Sequence, residues 1–88
     1  MKTSRQLERY FKGAANHTRL DILLLVEENQ GMTLEDISDT LGGNFMTISS
    51  HTQRLVQAGL LNKAYRGRAV MHTLSPYGKR FTVFMKKF

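Results

Sequence analysis

The chain has no cysteine, which excludes disulfide scaffolds, thiolate metal sites and cysteine nucleophiles together. The absence also fits a reducing compartment. Proline is almost missing: Pro76 is the only one, and no linker, repeat or low-complexity stretch interrupts the sequence. Long hydrophobic runs are missing too. The longest, Ile22-Leu23-Leu24-Leu25-Val26, lies between Asp21 and Glu27 and falls far short of the ~20 residues of a membrane span. Met1-Lys2-Thr3-Ser4-Arg5 leads into polar residues, not into the apolar region of a signal peptide. The expectation is a soluble, cytoplasmic protein with no membrane partner.

The most informative absence is that of acid from the second half. All seven acidic residues, from Glu8 to Asp39, lie in the first 39 positions, where five cations leave a net charge of −2. From Thr40 to Phe88 there are eight basic residues and no acidic one, a net of +8. Solubility alone would not require that exclusion. A fold with one strongly positive end attracts polyanions, nucleic acid first among them. With 88 residues, one domain is expected. A chain of this size buries only about 60–65% of its unfolded surface, which leaves little room for a deep substrate cleft.

Periodicity supplies the elements. Leu7, Tyr10, Phe11 and Ala14 recur on one face of a helix from Ser4 to Ala15. Thr18-Arg19-Leu20-Asp21 has the spacing of a capping box, opening a second helix to about Asn29 with Gly31 as its stop. That helix is apolar almost all round and should be the buried one. Thr33-Leu34-Glu35-Asp36 repeats the pattern before a short helix whose inner face is Leu34, Ile37 and Leu41, ending at Gly42-Gly43. Asn44 then caps a helix from Phe45 to Ala58, closed by Gly59, with Ile48, Thr52 and Leu55 as its inner stripe. Leu61 to Tyr65 and Ala69 to Leu74 read as strands joined by Arg66-Gly67-Arg68. Ser75-Pro76 starts a last helix carrying Tyr77, Phe81, Phe84 and Phe88. The fold class is therefore mainly α with a small β-hairpin, in the order ααααββα.

Two short helices joined by a glycine-containing turn describe a helix-turn-helix, and a basic hairpin after them makes it a winged one. Counting 100° per residue puts Met46, Ser50, Gln53 and Gln57 opposite the Ile48 and Leu55 stripe, with Thr47, Ser49 and Arg54 flanking. This face has no acidic group to repel phosphate, and it suits a major groove, where glutamine addresses adenine. The free N–H groups from Asn44 to Met46 would face a phosphate favourably. Lys63, Arg66 and Arg68 form the wing, placed to follow the backbone or a minor groove. A merely solvated helix face and a charged turn kept for solubility are the competing readings. It is the combination of the turn, the basic hairpin and the missing acids that favours DNA.

These residues also carry a resemblance. Ala14-Ala15-Asn16-His17-Thr18-Arg19-Leu20-Asp21-Ile22-Leu23 resembles the ala-asp-pro-x-arg-leu-x-ile-leu opening of ArsR-type winged-helix repressors, and Leu34-Glu35-Asp36-Ile37 through Leu41-Gly42 resembles the first helix of their helix-turn-helix. The segment from Thr47 to Leu61 is similar to their thr-val-ser-x-his-leu-x-x-leu-x-x-ala-gly-leu-val pattern without insertion or deletion. Leu74-Ser75-Pro76-Tyr77-Gly78 resembles the leu-thr-x-x-gly ending of MarR-like relatives. The resemblance implies a transcriptional regulator that binds double-stranded operator DNA as a homodimer, paired through its first and last helices. Leu7, Tyr10, Phe11, Phe81, Phe84 and Phe88 would form that surface, although both stripes could instead pack on their own domain.

The sequence departs from the family where metal-sensing members carry a cysteine pair, so no metal or small-molecule effector and no cofactor is expected. Thr52 replaces a usual leucine, Gly43 an apolar turn residue, and Phe45 a polar DNA contact; Phe45 is expected to pack inward rather than meet a thymine methyl. His51 matches the family's histidine, which is structural. His17, His51 and His72 have no metal-ligand spacing, and Ser49 and Ser50 beside His51 lack an oxyanion hole, so no enzyme is expected. A protein-docking module and a DNA-maintenance factor without regulatory action are the alternatives to a repressor.

Overall fold

Side-chain caps set most of the element boundaries in the computed structural model, which describes residues 1–88. Helix α1 (Ser4–Ala14) is opened by Thr3, whose hydroxyl accepts from the Gln6 N–H at 3.2 Å while the Gln6 side chain accepts from the Thr3 N–H at 2.9 Å. Helix α2 (His17–Glu28) begins earlier than the Thr18 box suggested. Asn16 is the cap, its side-chain oxygen accepting from the N–H groups of Thr18 and Arg19 at 2.9 and 3.2 Å. An asparagine two residues upstream satisfies the first orphan donors of a helix that starts earlier, so the box at Thr18 is not needed. At its far end α2 stops at Glu28, before Gly31, because the chain must turn there into a strand.

That strand, β1 (Met32–Thr33), is absent from the sequence reading. Two residues are too few to show an alternating pattern, and only the pairing with a distant partner defines them. Helix α3 (Leu34–Leu41) follows directly, with Thr33 and Asp36 forming the expected capping box. Helix α4 (Phe45–Gln57) ends in Gly59 at φ +82, with Leu60 N–H donating to Leu55 and Gly59 N–H to Val56. This is a Schellman closure, which glycine adopts at least cost. Strands β2 (Leu61–Arg66) and β3 (Ala69–Leu74) meet through Gly67-Arg68, with Gly67 at φ +61, the pattern of a type II′ hairpin turn. Ser75 caps helix α5 (Pro76–Lys87), accepting from the Gly78 N–H at 2.9 Å, with proline in the first turn.

The sheet is antiparallel, ordered β1-β3-β2, with Met32 opposite His72 and Lys63 opposite the same His72 on the other side. The fold is thus a winged helix-turn-helix whose sheet has three strands rather than two. Polar groups secure the short strand. Gly31 N–H donates to the His72 carbonyl at 2.8 Å, His72 Nδ1 donates to the Met32 carbonyl at 3.1 Å, and the Gln30 side chain accepts from Leu74 N–H at 2.9 Å.

Helix α2 occupies the centre, as its all-round apolar composition required. Ile22, Leu23 and Val26 are fully buried against Ile37, Ile48, Leu55, Leu60, Leu61 and Leu74. Each such side chain contributes about 1.5–3 kcal/mol of burial. Thr52 sits in the inner stripe of α4 without loss, because its hydroxyl donates to the Ile48 carbonyl at 2.8 Å.

Candidate nucleic-acid interface

The helix-turn-helix is α3, the Gly42-Gly43 turn and α4. Asn44 caps α4 as read from the sequence, its side-chain oxygen accepting from Thr47 N–H at 3.2 Å. Its amide NH₂ makes no hydrogen bond within the chain and remains able to donate outward. Burial of Ile48, Thr52 and Leu55 turns the other side of α4 to solvent: Met46 is 73% exposed, Thr47, Ser50, Gln53, Arg54 and Gln57 are exposed, and Ser49 is half-buried. Phe45 does not pack inward as expected. It is 44% exposed, because Ile48 already fills the space beneath the turn, with its Cδ1 and Cγ1 set against Gly43.

On the hairpin, Lys63, Arg66 and Arg68 are exposed, and none forms an ion pair. The fold brings four of the sequence-derived candidates together. Ser49 and Gln53 of α4 and Lys63 and Arg68 of the hairpin line one groove of about 340 Å³. Arg66 is not among its lining residues. It lies three positions from Lys63, so its side chain leaves β2 on the opposite face. Met46, Thr47, Ser50 and Arg54 lie on the open face of α4 outside the groove. One charged lining residue was missed in the sequence. Glu35, from the first turn of α3, returns an acid to the basic half of the molecule. The only signal in the sequence was its place two residues after the Thr33 cap.

Behind α4, His51 is half-buried and accepts a hydrogen bond at Nδ1 from Arg19 Nε at 3.1 Å. Burial first, and then the positive charges of Arg19 and Arg54, hold the imidazole below its ordinary pKa. The bond ties α4 to α2. His72 is buried in the sheet, and no three histidine or carboxylate side chains converge as metal ligands do.

Away from the groove, α1 and α5 expose an aromatic row. Phe11 meets Phe81, Phe81 meets Phe84 and Phe84 meets Phe88, with ring centroids 5.3, 6.3 and 5.8 Å apart. Tyr10 and Phe81 pack partly on the core, and Leu7 is half-buried; Phe11, Phe84 and Phe88 remain 53%, 51% and 98% exposed. No helix is long and apolar enough to cross a membrane.

Residues 16–62 match the family model of winged helix-turn-helix DNA-binding domains, and the chain belongs to that family. Its fold is shared with transcriptional regulators. HlyU from Vibrio cholerae superposes with a TM-score of 0.86 at 26% identity, over 98% of this chain and 94% of that one. Mb0332 from Mycobacterium bovis, described as a homodimeric winged helix-turn-helix DNA-binding domain and a possible ArsR-family transcriptional regulator, gives 0.83 at 25% identity over 98% and 85%. MarR, at 14% identity and a TM-score of 0.79 over 93% of this chain and 63% of that one, shares the fold. No curated protein sequence matches the chain. The structural neighbours thus bear out the resemblance to ArsR-type regulators, and with MarR the chain shares the fold.

Proposed function

We propose that the chain is a single DNA-binding domain over residues 1–88 that recognises a specific duplex sequence as a homodimer and represses transcription by occluding its operator. The observation that carries this reading is the convergence of an acid-free α4 face with Lys63 and Arg68 around one groove. In it, Met46, Thr47, Ser49, Ser50, Gln53 and Arg54 enter the major groove, and Asn44 donates to a phosphate at the start of α4. Lys63, Arg66 and Arg68 follow the backbone and the neighbouring minor groove. Leu7, Tyr10, Phe11, Phe81, Phe84 and Phe88 form the dimer surface. Support for it comes from the exposure of Phe11, Phe84 and Phe88, and from the homodimeric state described for Mb0332. The reading includes no catalytic step, no cofactor and no effector, and its setting is the cytoplasm.

The test is selection from a random duplex pool at physiological salt, with the mass of the free protein measured in parallel. The expected result is a palindrome whose half-sites lie about 10 base pairs apart, bound by a protein of twice the chain mass. Phe84→Glu should give a folded monomer, since Phe84 is half exposed and lies outside the core. Salt-sensitive binding with no enriched sequence would defeat the specific reading.

A further inference from the structure

Glu35 is the one acid among the residues lining the groove between α4 and the wing, where it stands with Ser49, Gln53, Lys63 and Arg68. Its carboxylate has no bonded partner in the chain, and its one structural part is to lie in the first turn of α3, at the positive end of the helix dipole. The capping box is made by Thr33 and Asp36, Glu35 makes no hydrogen bond or ion pair, and it is exposed. Glu8 and Glu27, by contrast, are paired with Lys12 and Lys86. Lys63 and Arg68 have no partner inside the chain either. An uncommitted anion therefore shares a groove with two uncommitted cations, on the face assigned to DNA.

Resting on the DNA-binding reading above, we infer that Glu35 is a specificity-determining residue: it opposes indiscriminate phosphate contact by the wing. Discrimination grows when the wrong complex is penalised as well as when the right one is favoured. Lys63 and Arg68 supply sequence-independent attraction, which every duplex enjoys. A carboxylate in the same groove repels any backbone that settles loosely into it. A duplex held in register by Gln53 and Ser49 meets the wing in one fixed position and escapes most of that repulsion.

The test compares the full chain with Glu35→Gln and Glu35→Ala on the selected duplex and on random duplex, as a function of salt. Both variants should still fold, because the α3 cap is untouched and the loss of one exposed first-turn acid costs only about 0.3–1 kcal/mol. Affinity for random duplex should rise about tenfold with a salt slope steeper by about one, as expected for one added phosphate contact. Affinity for the selected duplex should change less than about threefold, so the specificity ratio falls. Equal gains on both duplexes, or no change on either, would overturn the role of Glu35. So would loss of binding to the selected duplex, which would make Glu35 a direct base contact, as a carboxylate can be to cytosine. If the parent chain itself binds no DNA, the functional reading fails first, and that outcome is separate from a parent that selects a sequence while its Glu35 variants behave identically.

Discussion

Arg19 and His51, 32 residues apart, are joined by a 3.1 Å hydrogen bond from the guanidinium Nε to the imidazole Nδ1. The same guanidinium donates through Nη1 to the carbonyls of Lys12 and Gly13, at 3.3 and 3.2 Å. One planar group on α2 thus holds the end of α1 and the middle of α4. Arginine suits the position because its donors are fixed in a fork that lysine lacks.

Arg19→Ala should lower stability by about 2–3 kcal/mol, because three charge-assisted bonds go and His51 loses its donor. Arg19→Lys should recover less than half of that. Urea unfolding measures both.

The neutral state of His51 predicts a pH dependence of definite sign. Its pKa is depressed in the folded chain, so the unfolded chain takes up the proton first. The contribution is complete above the unfolded value of ~6.5 and is lost as pH falls through it toward the folded value. His51→Asn, which keeps an acceptor near Nδ1 but cannot titrate, should flatten the stability profile in that window. The Lys86 ammonium holds the Glu27 carboxylate below its ordinary range, so that pair fails only in more acid solution. Melting temperatures between pH 5 and 8 check the prediction; a variant with the parent's slope would remove His51 as its source.

Wing and recognition helix should separate in their binding signatures. Arg66→Ala with Arg68→Ala is expected to weaken binding to every duplex and to reduce the salt slope by about two. Gln53→Ala should instead change which sequence wins, at about 1–3 kcal/mol for its base pair. Filter binding at several salt concentrations distinguishes the two, and an unchanged slope in the double variant would remove the wing from the interface.

Gly78 lies where α5 passes over the carbonyl of Leu60, and a Cβ there would overlap that oxygen. Alanine is the better helix former by about 1 kcal/mol, yet a backbone carbonyl cannot move aside as a side chain can. Gly78→Ala should therefore destabilise the fold, by about 2 kcal/mol or more, read by thermal melting.

Much of this architecture is legible in the sequence because local chemistry encodes it. The Thr33 box, the Asn44 and Ser75 caps, Gly59 and the hairpin turn each leave a residue-level mark. The inner stripe of α4 follows from helical spacing alone. What escapes is non-local. β1 exists only because it is tied to β3, with His72 bonding Met32 across 40 residues of chain and Gln30, just ahead of β1, bonding Leu74 across 44. Asn16 outcompetes Thr18 as a cap on backbone geometry, and Phe45 is displaced by Ile48, whose packing against Gly43 no linear pattern shows. Glu35 belongs to the same class. Counting charge along the chain assigns it to the acidic half, and folding carries it across.

Thr33 serves two masters: its backbone pairs with Met71 in the sheet, and its hydroxyl accepts from Asp36 N–H at 3.1 Å to start α3. The strand that carries the wing is thereby clamped to the helix that supports α4. The spacing between wing and recognition helix is then set before any duplex arrives, like the jaws of a caliper with its screw tightened. It is the duplex that must conform. On the proposed DNA-binding function, sequences whose groove width is easily adjusted to that gauge should be preferred even at base pairs no side chain reaches.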